Sequence, residues 1–137
     1  MKVLNIKKKI PGFTLPELLV VLVIIGILVL LALPRLMPLI AKAKSTEAQM
    51  HLGHVHALQK GHFYMYSRYS EDLEEIGYEP EILVTNGGTA NYTIEIIEAS
   101  ATTFLARATA VVDFDGDGNF NVWEIDQDKK LKEVTRD

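Results

Sequence analysis

The chain contains one apolar run that an ordinary water-soluble fold cannot bury. Leu18 to Leu33 is a stretch of sixteen residues without a charged side chain. Extended back to Phe13, the segment has 21 residues and one acid, Glu17. As a helix it would be roughly 32 Å long, enough to cross the hydrocarbon core of a bilayer. The sequence therefore predicts a membrane-spanning helix over residues 13–34, which excludes a plain cytosolic globule and a disordered chain.

The residues around this run predict its orientation and the division of the chain. Residues 1–12 contain four lysines and no acid, a pattern typical of a cytoplasmic flank. Because no Ala-x-Ala cleavage site follows the run, we expect it to be kept as a single-pass anchor. We predict three parts: a basic leader over 1–12, the apolar helix over 13–34, and an exported domain over 35–137.

Composition narrows the function. The 137 residues include no Cys, which excludes disulfides and thiolate metal sites. The formal charge is −4, and no basic cluster lies beyond the first nine residues, which argues against a nucleic-acid partner. The sequence contains no recognisable nucleophile–base pairing or phosphate-binding glycine loop. It therefore predicts a protein that is not an enzyme.

Glu17 is the anomaly within the apolar segment. A carboxylate costs about 2.5–3.5 kcal/mol at the membrane centre and less near the edge. Either Glu17 lies at the interface, solvated by lipid headgroups, or it pairs with a cation. No Lys or Arg lies along the apolar segment. The cation would then be a new α-amine, made by a cut just before the run.

The segment Lys7-Lys8-Lys9-Ile10-Pro11-Gly12-Phe13-Thr14-Leu15-Pro16-Glu17-Leu18-Leu19-Val20-Val21 resembles the prepilin cleavage and methylation motif. This motif is found in type IV pilins and in the pseudopilins of type II secretion. The resemblance implies that a prepilin peptidase cuts between Gly12 and Phe13 and methylates Phe13. It also implies that Glu17 faces the N-terminal amine of a neighbouring subunit. Pro34 falls where family helices kink or melt in the fibre.

The resemblance also implies a function, partners and a location. The chain would be a structural subunit of a type IV pilus or a type II secretion pseudopilus. Its partners would be further copies in a helical fibre, the prepilin peptidase and the inner-membrane assembly machinery. The subunit would span the bacterial inner membrane with a cytoplasmic N-terminus, and then enter a periplasmic pseudopilus or a cell-surface pilus. Loss of the leader would change the formal charge from −4 to −8.

Two further prolines depart from a simple helix. Pro16 stands at a position that the family often fills with a β-branched residue or Leu. Proline is tolerated near a helix start, because the first amides have no intrahelical partner. Pro38 follows Pro34 by one turn, and each removes a backbone hydrogen bond. We therefore expect the helix to bend or partly unwind at these two prolines.

The rest of the chain predicts an α+β fold, in agreement with the pilin architecture. Apolar spacings of three and four predict that the helix continues to about Tyr66. An acidic, turn-like segment follows over residues 67–80. Alternating patterns predict strands at Tyr92–Ile96, Phe104–Val112 and Asn121–Ile125. We expect the long helix to pack on an antiparallel sheet of three or four strands.

An Asp-rich loop carries the second sharp motif. Residues 113–124 match the calcium pattern D-x-D-x-D-G-x5-E. The predicted ligands are Asp113, Asp115, Asp117, Asn119 through its carbonyl, Asn121 through water, and Glu124. A plain Asp/Gly hairpin loop is the alternative, since the flanks are strand-like. Major pseudopilins are similar in binding calcium near their C-terminal loop, so the pattern favours a pseudopilin.

One other function stays open. A signal-anchored calcium-binding module that never polymerises would keep its leader, and Glu17 would then be incidental. Among the histidines, His51, His54 and His62 share part of one helix face, but the sequence indicates no further ligand. We expect them to be ordinary surface or interface residues. Phe63, Tyr64, Tyr66 and Tyr69 are expected in the core or at subunit contacts, and Trp123 on the sheet face.

Overall fold

The computed structural model describes residues 11–137, so most of the predicted leader lies outside the described residues. Helix α1 covers Leu15–Tyr66, and a single 3-10 turn covers Val84–Asn86. Four strands follow, β1 at Tyr92–Ala99, β2 at Phe104–Ala110, β3 at Val122–Asp126 and β4 at Leu131–Thr135. The chain divides after Arg35 into an N-terminal unit and a second unit, Leu36–Asp137, here called the head.

The N-terminal unit consists mainly of the first part of α1. Its large apolar side chains between Leu15 and Leu33 each expose 48–74% of their surface. By length and composition this helix can cross a membrane, as the sequence predicted. Pro16 lies in the first turn, where its missing N–H removes no helical hydrogen bond. The helix assignment continues through Pro34 and Pro38, so the unwinding expected there is not found.

Within the head, α1 buries one face. The buried positions recur at alternating spacings of four and three, which keeps them on one side of a helix. They are Ala41, Ser45, Ala48, Leu52, Val55, Gln59 and His62. Leu52 and Val55 share a hydrophobic cluster with Phe104 and Ile125 of the sheet. Strand β2 supplies the centre of that cluster, because its burial alternates strictly along Phe104–Ala110.

The sheet is an antiparallel meander with the order β1-β2-β3-β4. The predicted α+β class and strand count are confirmed. The predicted end of the second strand at Val112 was wrong, because β2 ends at Ala110 and Val112 lies in the bend that follows. Strand β4 was missed. It has five residues, of which four are exposed, so its pattern carries little apolar signal.

The acidic segment after α1 is attached to the end of the helix by buried polar contacts. Gln59 is fully buried; its Nε2 donates to the Ser70 carbonyl at 2.6 Å, and its Oε1 accepts from the Ser70 N–H at 3.0 Å. His62 Nδ1 donates to the Arg68 carbonyl at 2.9 Å. The ring of Tyr69 stacks on Phe63 with centroids 4.9 Å apart. These contacts hold a segment that has no regular structure of its own.

Gln59→Leu tests this attachment. The substitution keeps a similar volume but leaves the buried Ser70 N–H and carbonyl without their partner. Because an unsatisfied buried polar group costs about 1–3 kcal/mol, we expect a loss of about 2–4 kcal/mol. Urea unfolding of the detergent-solubilised chain, followed by Trp123 fluorescence, measures it. Gln49→Leu, a partly exposed position on the same helix, is the control and should change stability little. Equal effects of the two substitutions would contradict the assigned role of Gln59.

Candidate functional site

The start of α1 presents the predicted cleavage bond outside the helix. Residues 11–14 have no regular secondary structure, and Gly12 is exposed. Phe13 exposes 89% of its surface. The Gly12–Phe13 bond therefore lies outside α1, which begins at Leu15. This placement fits the predicted processing site, which nonetheless stays a prediction.

Glu17 caps the helix that it belongs to. One carboxylate oxygen, Oε2, accepts from the Thr14 N–H at 2.7 Å and from the Thr14 hydroxyl at 2.6 Å. Thr14 precedes the first helical residue, so Thr14-x-x-Glu17 has the spacing of a capping box, of which the bond from the Thr14 N–H to Glu17 is formed; the sequence analysis missed this local signal. Within the described residues, nothing donates to the second oxygen, Oε1. Glu17 therefore uses only one of its two carboxylate oxygens as a hydrogen-bond acceptor within the described residues.

The Asp-rich loop lies between β2 and β3 and brings three carboxylates together. One oxygen from each of Asp113, Asp115 and Asp117 lies within 4.8 Å of the other two. Asp113 organises the turn, because its two oxygens accept from the Gly116 N–H at 2.6 Å and the Gly118 N–H at 2.8 Å. Both glycines have positive φ, 81° and 89°, which explains the residue type at these two positions.

The electrostatics of the three carboxylates differ. The Gly118 N–H above all, with help from the Gly116 N–H, holds the pKa of Asp113 below its usual value. For Asp115, the hydrogen bond from Asp117 lowers the pKa. Partial desolvation and the charges of Asp117 and Asp137 outweigh that effect, so the net shift is upward. The loop concentrates negative charge that a hard cation such as Ca²⁺ would neutralise.

Two of the other predicted ligands have different partners. Glu124 lies on β3, where its Oε1 accepts from Arg107 Nη2 at 2.7 Å and Nε at 2.9 Å. Asn121 is buried; its Oδ1 accepts from the Tyr92 hydroxyl at 2.8 Å, and its Nδ2 donates to Glu133 Oε1. Both side chains are therefore engaged in hydrogen bonds to residues of other strands of the sheet.

The remaining predicted ligand stays in the loop, and a further acid joins it. The Asn119 amide donates to Asp117 Oδ2 at 3.0 Å. Asp137 was not foreseen, since no sequence spacing links it to the loop. Its carboxylate accepts from the N–H groups of Phe114 at 2.9 Å and Asp115 at 3.0 Å. The three grouped carboxylates suit a hard cation, but the six-residue ligand set as a whole stays a prediction.

The histidines do not form a metal centre among residues 11–137, where the only grouped metal-type ligands are the three aspartates. The expectation of a surface or interface role was wrong for His62, which is 2% exposed and held by Arg68 and, at 3.5 Å, by Glu75. His51 accepts or donates a hydrogen bond with the buried Tyr78 hydroxyl at 3.0 Å. The acidic segment over residues 67–80 packs against α1, which explains why His62 contacts Arg68 and His51 contacts Tyr78.

Comparison with known proteins agrees with this geometry. Residues 7–33 match the family model described as the prokaryotic N-terminal methylation motif. One long helix with an apolar first part that carries this motif, followed by a four-stranded antiparallel sheet, is an arrangement similar to that of type IV pilins. The resemblance to type IV pilins and pseudopilins is thereby confirmed.

A curated relative is similar over a longer stretch. The chain is 40% identical over 81 residues to the type IV major pilin protein PilA of Myxococcus xanthus strain DK1622. The matched stretch covers 59% of this chain and 37% of the relative, so the chain spans well under half of the relative's length.

Asp113→Asn tests the loop electrostatics. Because the pKa of Asp113 is lowered in the folded chain, its charge stabilises the fold above the unfolded pKa of about 3.9. That contribution is lost as the pH falls through the folded pKa. We expect the variant to unfold at lower urea than wild type at neutral pH, with the difference vanishing in acid. The control is Asp128→Asn, an exposed position that should show a much smaller difference. A difference independent of pH would contradict the assigned cause.

Proposed function

We propose that this chain is a structural, non-enzymatic subunit of a type IV pilus. In this proposal prepilin peptidase cuts between Gly12 and Phe13, Phe13 is methylated, and the mature chains polymerise through α1. One observation carries the proposal: the methylation motif coincides with the first part of α1, whose large apolar side chains from Leu15 to Leu33 each expose 48% or more of their surface. A single head cannot cover such a surface in water.

The exposed helix accounts for both a membrane-bound and an assembled state. Full burial of one large apolar side chain contributes about 1.5–3 kcal/mol, so the free helix is strongly driven out of water. The bilayer covers it before assembly, and neighbouring helices cover it in the fibre. Lipid tails are as apolar as leucine, so the hydrophobic effect alone does not favour the fibre over the membrane. A polar interaction specific to the fibre is needed to set the register.

Glu17 supplies that interaction. Its Oε2 is engaged by Thr14, and its Oε1 is available to the N-terminal amine of a neighbouring copy. Opposite charges attract strongly in a medium of low dielectric constant, and each is costly there alone. The uncut chain has no amine at Phe13, so cleavage controls assembly.

The name of the relative favours a pilus over a pseudopilus, since that protein is a type IV major pilin. The Asp-rich loop had favoured a pseudopilin, but only three of the six predicted ligands form its carboxylate group. In this proposal the subunit waits in the bacterial inner membrane with its N-terminus in the cytoplasm. The assembly machinery of that membrane then extends the fibre to the cell surface. Fibres confined to the periplasm would instead indicate a pseudopilus.

The intact mass of the protein from its native membrane tests processing. We expect a chain that begins at Phe13 and is heavier by one methyl group. Gly12→Val should abolish the cut, while Gly26→Ala should leave it unchanged. An added Cβ meets no atom within 4 Å at either glycine, so neither variant acts through a clash. A wild-type chain that keeps residues 1–12 beside an active peptidase would refute processing.

Substitutions of Glu17 separate its two roles. Glu17→Ala removes the cap and the charge, whereas Glu17→Gln keeps an oxygen for the Thr14 N–H and removes only the charge. We expect both variants to be cleaved. Each should form fewer fibres than wild type by a factor of about ten or more, because the neighbour's amine is left unpaired. Electron microscopy of sheared fibres gives the yield. Normal assembly of Glu17→Gln would assign Glu17 to helix capping alone.

The second candidate function is an anchored calcium-binding module that does not polymerise. The grouping of Asp113, Asp115 and Asp117 is the observation in its favour. Calorimetry with Ca²⁺, with and without a chelator, tests the binding independently of assembly. Absence of heat at about 1 mM Ca²⁺, the weak end of protein calcium sites, would eliminate calcium.

A further inference from the structure

The two edges of the sheet in the head carry opposite charge. Among residues 11–137, β1 and β4 each have one strand neighbour, so both are edge strands. An open groove runs beside β1 and is lined by the acids Glu71, Asp72, Glu74 and Glu95, here called the acidic edge. The apolar residues that line the same groove include Leu73, Ile94 and Ile96, each half-buried.

The opposite edge carries three exposed lysines, and the one acid of β4, Glu133, accepts a hydrogen bond from the Asn121 amide at 2.8 Å. Lys129, Lys130 and Lys132 are exposed at the turn before β4 and along it, and are here called the basic edge. Lys130 lies 3.8 Å from the exposed Asp128, a weak surface pair. Leu131 exposes 36% and Val134 46% of their surface beside these lysines. Two partly exposed apolar side chains thus lie beside lysines at one edge of the sheet, and an acid-bordered groove with apolar lining opens at the other.

A row of charges crosses the sheet and points to the same complementarity. Glu95 of β1 is registered with Arg107, Arg107 with Glu124, and Glu124 with Lys132 of β4. The signs alternate along the row, which begins with an acid at one edge and ends with a base at the other. A second sheet placed beside β4 with its own β1 continues the alternation, because Glu95 of that copy follows Lys132.

The strand count makes this arrangement compatible with a polar fibre. Successive strands are antiparallel, so in a four-stranded meander β4 runs opposite to β1. Two copies that point the same way and lie side by side therefore bring together edges of opposite strand direction, and neither copy has to be inverted. A contact between two different patches can repeat without closing, and open helical fibres are built from contacts of this kind.

We propose that the basic edge of one copy docks against the acidic edge of the next copy in the fibre. The occupant of each edge is a second copy of this chain, identified by charge complementarity. The inference rests on the proposed function, which supplies a fibre in which every subunit has the same direction. The lysines and carboxylates set the partner and the direction of the contact, and Leu131 and Val134 cover apolar surface of the groove.

Reversal of one charge on each edge tests the docking. Glu74→Lys and Lys130→Glu change exposed side chains that take no part in the core of the head. The side chain of Glu74 has no hydrogen-bond partner among the described residues. Each single variant replaces an attraction by a repulsion and should form about tenfold fewer fibres. A tenfold change corresponds to a free energy on the order of that of two surface ion pairs. The yield is measured on sheared fibres from cells that express the full-length chain.

The double variant Glu74→Lys/Lys130→Glu provides the decisive comparison. Its edges are again complementary to each other but repel those of wild type. We expect it to polymerise with itself at nearly the wild-type yield and to be excluded from wild-type fibres when both are expressed. A merely structural effect of the two substitutions would add rather than cancel.

The other outcomes overturn specific claims. Wild-type yield from both single variants would overturn the docking and leave the charges as protection of the edges against unwanted strand pairing. A double variant that assembles no better than the singles would overturn it as well. Absence of any fibre from the wild-type chain would instead refute the proposed function, and the inference with it.

Discussion

An apolar helix that its own chain leaves exposed is the constraint on which the rest of the structure depends. From Leu15 to Leu33 the side chains of α1 expose apolar surface, which in the proposed function a bilayer or neighbouring helices cover. In the proposed function the head has to stay folded both before and after assembly. Its core is accordingly built by the later part of α1 and strands β1, β2 and β3, which share one buried cluster.

The role of Glu17 depends on the apolar surroundings of the helix. In water, a capping carboxylate on an exposed helix would be ordinary. In an apolar medium its charge has to be matched, and Thr14 engages only one of its two oxygens. The cap holds the carboxylate in a defined orientation at the helix start. A proposed amine from a neighbouring copy would complete it, so one residue serves both the local fold and the assembly.

The head combines a fixed interior with charged borders. Gln59 and His62 use buried polar contacts to hold the acidic segment against α1, and this segment then forms one wall of the groove beside β1. The basic turn before β4 lies at the opposite border of the same sheet. Edge strands expose unpaired backbone groups, and charge is the usual protection against indiscriminate pairing. Opposite charge on the two edges protects each copy from its like edge while permitting the unlike one.

Local sequence was sufficient for the motif, the helix and the fold class, because each depends on residues close together in the chain. The spacing of apolar residues in α1 and the basic leader followed by Gly12, Phe13 and Glu17 could be read directly. The cap formed by Thr14 and Glu17 is equally local, and only its signal was overlooked. Contacts between distant residues were decided by the tertiary structure. Arg107 donates a hydrogen bond to Glu124, the Tyr92 hydroxyl donates to Asn121, and the Asp137 carboxylate accepts from the Asp-rich loop. Strand β4 and the opposed edges of the sheet also emerge only there, since strand register sets which charges stand side by side.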